Sequence, residues 1–159
     1  MMQAEFGTIL NKKEPQILSR WQAAALSPYE NALHLSGQKP KGRFADPISY
    51  LMINNTREIW KWLIKAENDP DIVKPLEEIC RMKAVQEPRP SKALSFIFDL
   101  KQIIREELEH EHGDWEAGLR DIDRRIDETA LLAFDIYSEC RARIYEIKVN
   151  ETKRMYGRD

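Results

Sequence analysis

Between Trp115 and Tyr156 the chain has no proline and a single glycine, Gly118, so nothing in that stretch forces a helix to stop. A helix of that length spans roughly 60 Å at 1.5 Å per residue. A compact domain of 159 residues is only about 40 Å across, so the helix is expected to protrude. Cysteine is as scarce. Cys80 and Cys140 are the two present; they lie inside helical patterns without CxxC spacing, which argues against a disulfide scaffold and for reduced thiols packed as small hydrophobes. No apolar run approaches the roughly 20 residues that cross a bilayer. The opening MMQAEFGTILNKKEPQ lacks the basic start, apolar stretch and small-residue cleavage site of a secretory signal. A cytoplasmic protein without membrane insertion is the expectation. Charge of one sign is missing too, since 25 Lys+Arg against 27 Asp+Glu leave a net charge of -2, no field for nucleic acid or an anionic membrane.

What is there suits one ordinary domain over residues 1–159. A hydrophobic content of 42% supplies a core that needs no staple. The charge is unevenly spread. From Arg105 to Glu128 four basic residues face ten acidic ones, whereas from Arg141 to Asp159 six basic face three acidic. An acidic start and a basic end suit the dipole of the long helix, and also two such helices lying antiparallel.

Punctuation and periodicity predict an all-α bundle of about five helices, the last extending beyond the others. Residues 1–13 read as a loose N-terminus. A first helix fits Pro15 to Leu26, with Pro15 early and Ile17, Leu18, Trp21, Ala24 and Ala25 as its stripe. Ser27-Pro28 ends it, and a short turn follows to Leu35. Ser36 to Ala45 reads as a loop. Asp46-Pro47 caps a second helix to about Ala66, burying Ile48, Leu51, Met52, Ile59, Leu63 and one of Trp60 and Trp62, with Asn54-Asn55-Thr56 weakening its middle. Asp69 to Asp71 caps a third, carrying Ile72, Leu76, Ile79, Cys80 and Val85. The Glu87-Pro88-Arg89-Pro90 run ends it. Ser91 then caps a fourth to about His110, with Ala93, Phe96, Ile97, Leu100, Ile103 and Ile104 in one stripe and Leu94 and Phe98 in a second. The long helix, 115–157, carries Leu119, Ile122, Ile126, Ala130, Ala133, Tyr137, Cys140, Ile144 and Ile147, widened by Leu131, Phe134 and Tyr145.

Catalytic and metal chemistry find no constellation. His110 and His112 stand two apart, about 200° around a helix, and cannot share one metal. Glu106 with His110 and Glu107 with Glu111 have i, i+4 spacing, but the paired Glu-x-x-His motifs of a di-iron bundle are absent; a solvated acidic face is the plainer account. His34 has no partner signature, and a cysteine–histidine pair would have to recruit Cys80 or Cys140 from the core. The expectation is a non-enzyme with no catalytic residue, cofactor or metal. Asp99, Lys101, Arg105, Asp127, Asp135 and Arg141 are charges on the two most apolar helices; pairing of Asp127 or Asp135 with Lys101 or Arg105 would fix their register.

The run Arg81-Met82-Lys83-Ala84-Val85-Gln86, then Pro90-Ser91-Lys92-Ala93, Phe96 and Lys101 to Arg105, resembles the RsbRD-type N-terminal domain family, the sensor domain of stressosome RsbT co-antagonists. Ile126-Asp127, Ala133 to Tyr137, Cys140-Arg141 and Tyr145-Glu146 to Asn150-Glu151 fit the same pattern, as do Leu18 to Trp21 and Arg43 to Pro47. The residues that carry it furthest are Arg81, Val85, Gln86, Pro90, Ser91, Phe96, Lys101, Arg105 and Asp135. The resemblance implies a sensory or regulatory module that passes a signal down its last helix. In larger family members a STAS domain follows; here the sequence is expected to be a stand-alone input domain. The implied partners are a STAS-domain protein or a switch kinase. Resemblance to single-domain proteins beside respiratory redox complexes in sulfur-metabolising anaerobes implies a second reading, an accessory subunit or adaptor of such a complex. A third is a small-ligand or cofactor binder inside the bundle. Homodimerisation is expected through the long helix at Tyr137, Arg141, Ile144, Tyr145, Ile147, Asn150 and Glu151.

Overall fold

The computed structural model describes residues 4–29, 46–65 and 70–157. Among these the chain is helical throughout: α1 (Ala4–Leu26), α2 (Pro47–Ile64), α3 (Val73–Gln86), α4 (Pro90–Leu108) and α5 (Glu116–Tyr156). Single 3-10 turns at Ser27–Tyr29 and Pro70–Ile72 follow α1 and precede α3. The expected loop over 36–45, the turn to Leu35, His34 and the Asp69 cap lie outside the described residues.

The helices close a ring. α1 packs on α2 and α4, α2 packs on α3, and α3 and α4 both pack on α5. Core residues come from every member, among them Phe6, Trp21, Trp60, Leu76, Leu100, Ile126 and Tyr137. Trp21 ties α1 to α4: its Nε1 donates to the Phe96 carbonyl at 2.8 Å, and the two rings stack with centroids 6.1 Å apart. Burying an aromatic pair this way adds about 1 kcal/mol beyond the area removed from water.

The local chemistry explains the boundaries. Asp46 caps α2 by accepting from Ser49 N at 3.1 Å, with Pro47 in the first turn. Trp60, not Trp62, is the tryptophan that is fully buried. Thr56 and Asn55, which read as a weak point in α2, are buried and engaged: Thr56 Oγ1 donates back to Met52 O and accepts from Gln22 Nε2, and Asn55 Nδ2 donates to Leu51 O and to Glu78 Oε2 at 2.9 Å. Buried side-chain polar groups with partners are tolerated.

Three expectations are corrected. The N-terminus is not loose, because α1 begins at Ala4 and runs through Pro15. Proline removes one backbone hydrogen bond there, but Phe6, Ile9 and Leu10 are buried, and Lys13 reaches Glu111 at 3.0 Å. Tertiary packing thus outweighs the local penalty. Arg89, not Ser91, is the N-cap of α4, since Pro90 takes the first helical position and pushes the preceding residue into extended backbone. Val85 is 69% exposed, and Lys83, at 2%, takes the inward position, because the i, i+3, i+4 rhythm from Leu76 and Ile79 leads to 83.

The start of α5 is built against α1. A Cβ on Gly118 would fall 2.3 Å from Phe6 Cγ, so the helix approaches the ring only because glycine stands there. Gly118→Ala should therefore cost about 1–3 kcal/mol, the range for overpacking, read as a lower midpoint in urea unfolding with circular dichroism of the folded state unchanged.

Candidate functional site

Two features of α5 concern function: how it is held where it leaves the bundle, and what it shows to solvent. Cys80 Sγ on α3 donates to Ala133 O at 3.4 Å, while the later carbonyls Ala84 O and Glu87 O accept from Arg141 Nη1, at 2.8 Å, and Tyr137 Oη. From residues 80 and 133 the contacts pass to 84–87 on α3 and 137–141 on α5, so α3 and α5 run parallel. Ala84 and Glu87 belong to the end of α3, where carbonyls lack partners within the helix. Tyr137 and Arg141 therefore cap α3 from α5, at the point of exit.

On the other side α4 runs antiparallel to α5. Lys101 Nζ meets Asp127 Oδ1 at 2.6 Å, and Arg105 grips both oxygens of Asp123. The expected pairing of Lys101 with Asp127 is present; Arg105 chooses Asp123, one turn earlier, and Asp135 stays exposed. Both pairs are partly in solvent, so they contribute about 0–1 kcal/mol each and act mainly on register. On the third side Arg125 lies over the Trp62 ring, 4.4 Å from its centroid, and donates to Trp62 O at 2.7 Å.

Past these contacts α5 is uncovered. Tyr145 is 69% exposed, Ile147 57% and Tyr156 79%. Nearer the bundle, Leu94 and Phe98 of α4 and Leu131 and Phe134 of α5 line an open apolar groove of about 490 Å³, with Pro90 and Ser91 at one end. The expected dimer residues divide accordingly. Tyr137 is buried and Arg141 half-buried, both turned to α3; that corrects their assignment to a free face. Ile144 is half-buried, and Tyr145, Ile147, Asn150 and Glu151 are exposed. Tyr145 and Ile147 are about 160° apart around the axis at 3.6 residues per turn, so one seam cannot hold both.

Of the residues that carried the resemblance, Phe96 is core, Lys101 and Arg105 face α5, and Arg81, Val85, Gln86 and Asp135 are exposed. Pro90 and Ser91 reach the groove. Most of these residues map onto the α3–α4 turn, its flank and the α4–α5 seam. Residues 15–151 match the family described as the RsbT co-antagonist protein rsbRD N-terminal domain. The chain belongs to that family. It is a family of stressosome-type sensory and regulatory domains, not a known enzyme family. No curated protein and no solved structure matches the chain.

In this RsbRD-type domain the reactive side chains are quieted by burial. The Cys80 thiol is pushed up to about 12, first by desolvation and then by nearby Cys140, with Lys83 opposing. Burial also lowers the Lys83 ammonium from its ordinary range, against the pull of Glu87 and Cys80, and its Nζ sits 5.1 Å from the Phe96 ring centroid. Lys83 is the residue that sequence reading passed over; only the inward rhythm of α3 pointed to it. Among the described residues no group of three or more His, Cys, Asp or Glu side chains is arranged to hold a metal, and no helix is long and apolar enough to cross a membrane.

Two measurements check this picture. A thiol that ionises only near 12 is a poor nucleophile at neutral pH, so a disulfide reagent at pH 8 should label the half-buried Cys140, and Cys80 only after unfolding; Cys80→Ser should leave native labelling unchanged. Tyr137→Phe and Arg141→Met should each cost about 1 kcal/mol, because each leaves a partly buried carbonyl at the end of α3 without its donor, with faster amide exchange at the end of α3 as the local signature.

Proposed function

We propose that this domain is a non-enzymatic input module, in which an event at the bundle changes how α5 leaves it and the uncovered end of α5 carries that change to a protein partner. The observation that supports this reading is the division of one continuous helix. Its first half packs on α2, α3 and α4, while Tyr145, Ile147, Met155 and Tyr156 of its last third lie in solvent. A contiguous exposed apolar surface marks an interaction site more often than a monomer's ordinary exterior. A ligand or partner that favours one packing of the bundle over another shifts the population and moves the helix end. Self-association through α5 belongs to the same reading, as does a regulatory partner of the stressosome type, a STAS-domain protein or a switch kinase.

The test is capture of the tagged chain from native lysate by α5, with the partners identified and the capture repeated with α5 altered at Tyr145→Asp. Recovery of a STAS-domain protein or switch kinase that is lost with the variant supports the module. Stoichiometric recovery of redox-complex subunits instead would replace it with an accessory-subunit role.

A further inference from the structure

Exposed residues on α5, with the half-buried Val149, form a second stripe, separate from the one that enters the core. Leu131, Phe134, Ala142, Tyr145, Val149 and Tyr156 fall within an arc of about 80° at 3.6 residues per turn, with the small polar Ser138 and Thr152 completing the spacing. Leu131 is 70% exposed, Phe134 49%, Tyr145 69% and Tyr156 79%. The steps of three and four average about 3.6 residues, the rhythm of a straight helix, with which two helices pair with little supercoil. At its bundle end the stripe runs into the α4–α5 groove, where Leu94 and Phe98 widen it.

We propose that a second copy of this chain lies antiparallel along this stripe, each copy seating the basic end of its α5 in the other's α4–α5 groove. This rests on the helix-mediated association proposed above, and gives it a face and a direction. Charge sets the direction. With Ala142 facing Ala142, Lys153 of one copy lies on the same flank and level as Glu128 and Asp135 of the other. In a parallel pair this flank would instead meet the opposite one, bringing Lys153 against Lys148 of the other copy, a like-charge contact that the antiparallel pair avoids. Geometry agrees, since helical side chains lean toward their own N-terminus, which brings the Tyr156 ring back to the level of the opposing Leu131 and its groove. Ile144 and Ile147 lie outside this face.

Sedimentation of the full chain across concentration should show a dimer. Phe134→Asp or Tyr145→Asp should weaken it ~100-fold or more, as expected for central apolar contacts, with helicity unchanged because both side chains are exposed. Ile144→Asp with Ile147→Asp should leave it intact. Asp135→Lys and Lys153→Asp should each weaken association, and together restore it. In a Cys140→Ser background, Glu128→Cys mixed with Tyr156→Cys should crosslink between copies, and Tyr156→Cys alone should not. A dimer that is lost with Ile144→Asp and Ile147→Asp, or that crosslinks through Tyr156→Cys alone, overturns this interface while leaving helix-mediated association standing. A monomer at every concentration overturns both.

Discussion

The length of α5 is the constraint on which the rest of the molecule depends. Its 41 residues make a rod of roughly 60 Å, whereas the 14 to 23 residues of the other helices give rods of about 20 to 35 Å. No arrangement of four shorter helices covers the fifth from end to end. The bundle is therefore built at one end of α5, and the ring in which α3 and α4 flank it and α1 lies opposite is a means of burying one stripe over about half the helix. Gly118 at the start and Tyr137 near the middle mark the extent of that burial: the first lets α1 approach, and the second is the last fully buried side chain before the helix emerges.

Because the core ends part-way along a continuous helix, the contacts at the boundary differ in kind from those inside. Inside, aliphatic and aromatic packing dominates, and its cost of disruption is spread over many atoms. At the boundary the joints are directional, Tyr137 and Arg141 to the carbonyls of α3, and contacts of the same kind flank the first half of α5, Lys101 and Arg105 to its carboxylates and Arg125 to Trp62. Directional contacts specify one register. Glu106 and Glu111 extend this pattern to α1. Hydrogen bonding to Arg20 and Lys13 respectively holds each carboxyl below its ordinary range, so the stability they add is present above that range and fades as acid protonates them.

Much of this was legible in the chain, and the misses share a cause. The stripes of α4 and α5, the Asp46-Pro47 start and the break at Pro88-Arg89-Pro90 follow from periodicity and backbone stereochemistry, which act locally and leave their mark in the order of residues. Which apolar positions are covered is decided by neighbours far away in sequence. Leu131, Phe134 and Phe98 satisfy the same pattern as core residues and read as a widened core, yet they are exposed. The reverse holds for Lys83 and for the helix through Pro15, where a residue that local rules place outside, or at a helix start, is overruled by packing against Phe96 and around Phe6. The family resemblance was carried by residues at the α3–α4 turn and the α4–α5 seam, and it identified the region without revealing the groove.

The energy scale of the exit joint bears on whether α5 can act as a lever. Sliding or rotating α5 at its exit breaks the two bonds that cap α3, each with a net value of about 1 kcal/mol when made and a cost of about 1–3 kcal/mol when a buried group is left without a partner. In the lever proposed above, these two bonds set a few kcal/mol of the difference between two packings, against the 5–15 kcal/mol that hold a typical domain together. A ligand or partner that binds one packing more tightly by a hundredfold supplies about 2.7 kcal/mol, enough to compete with the joint and too little to melt the core. A bundle sealed by apolar packing along the whole helix would lack that separation of scales. In the proposed lever, ending the core at Tyr137 and closing it with a tyrosine and an arginine, rather than with further leucines, is what would leave α5 fixed at rest and movable by binding.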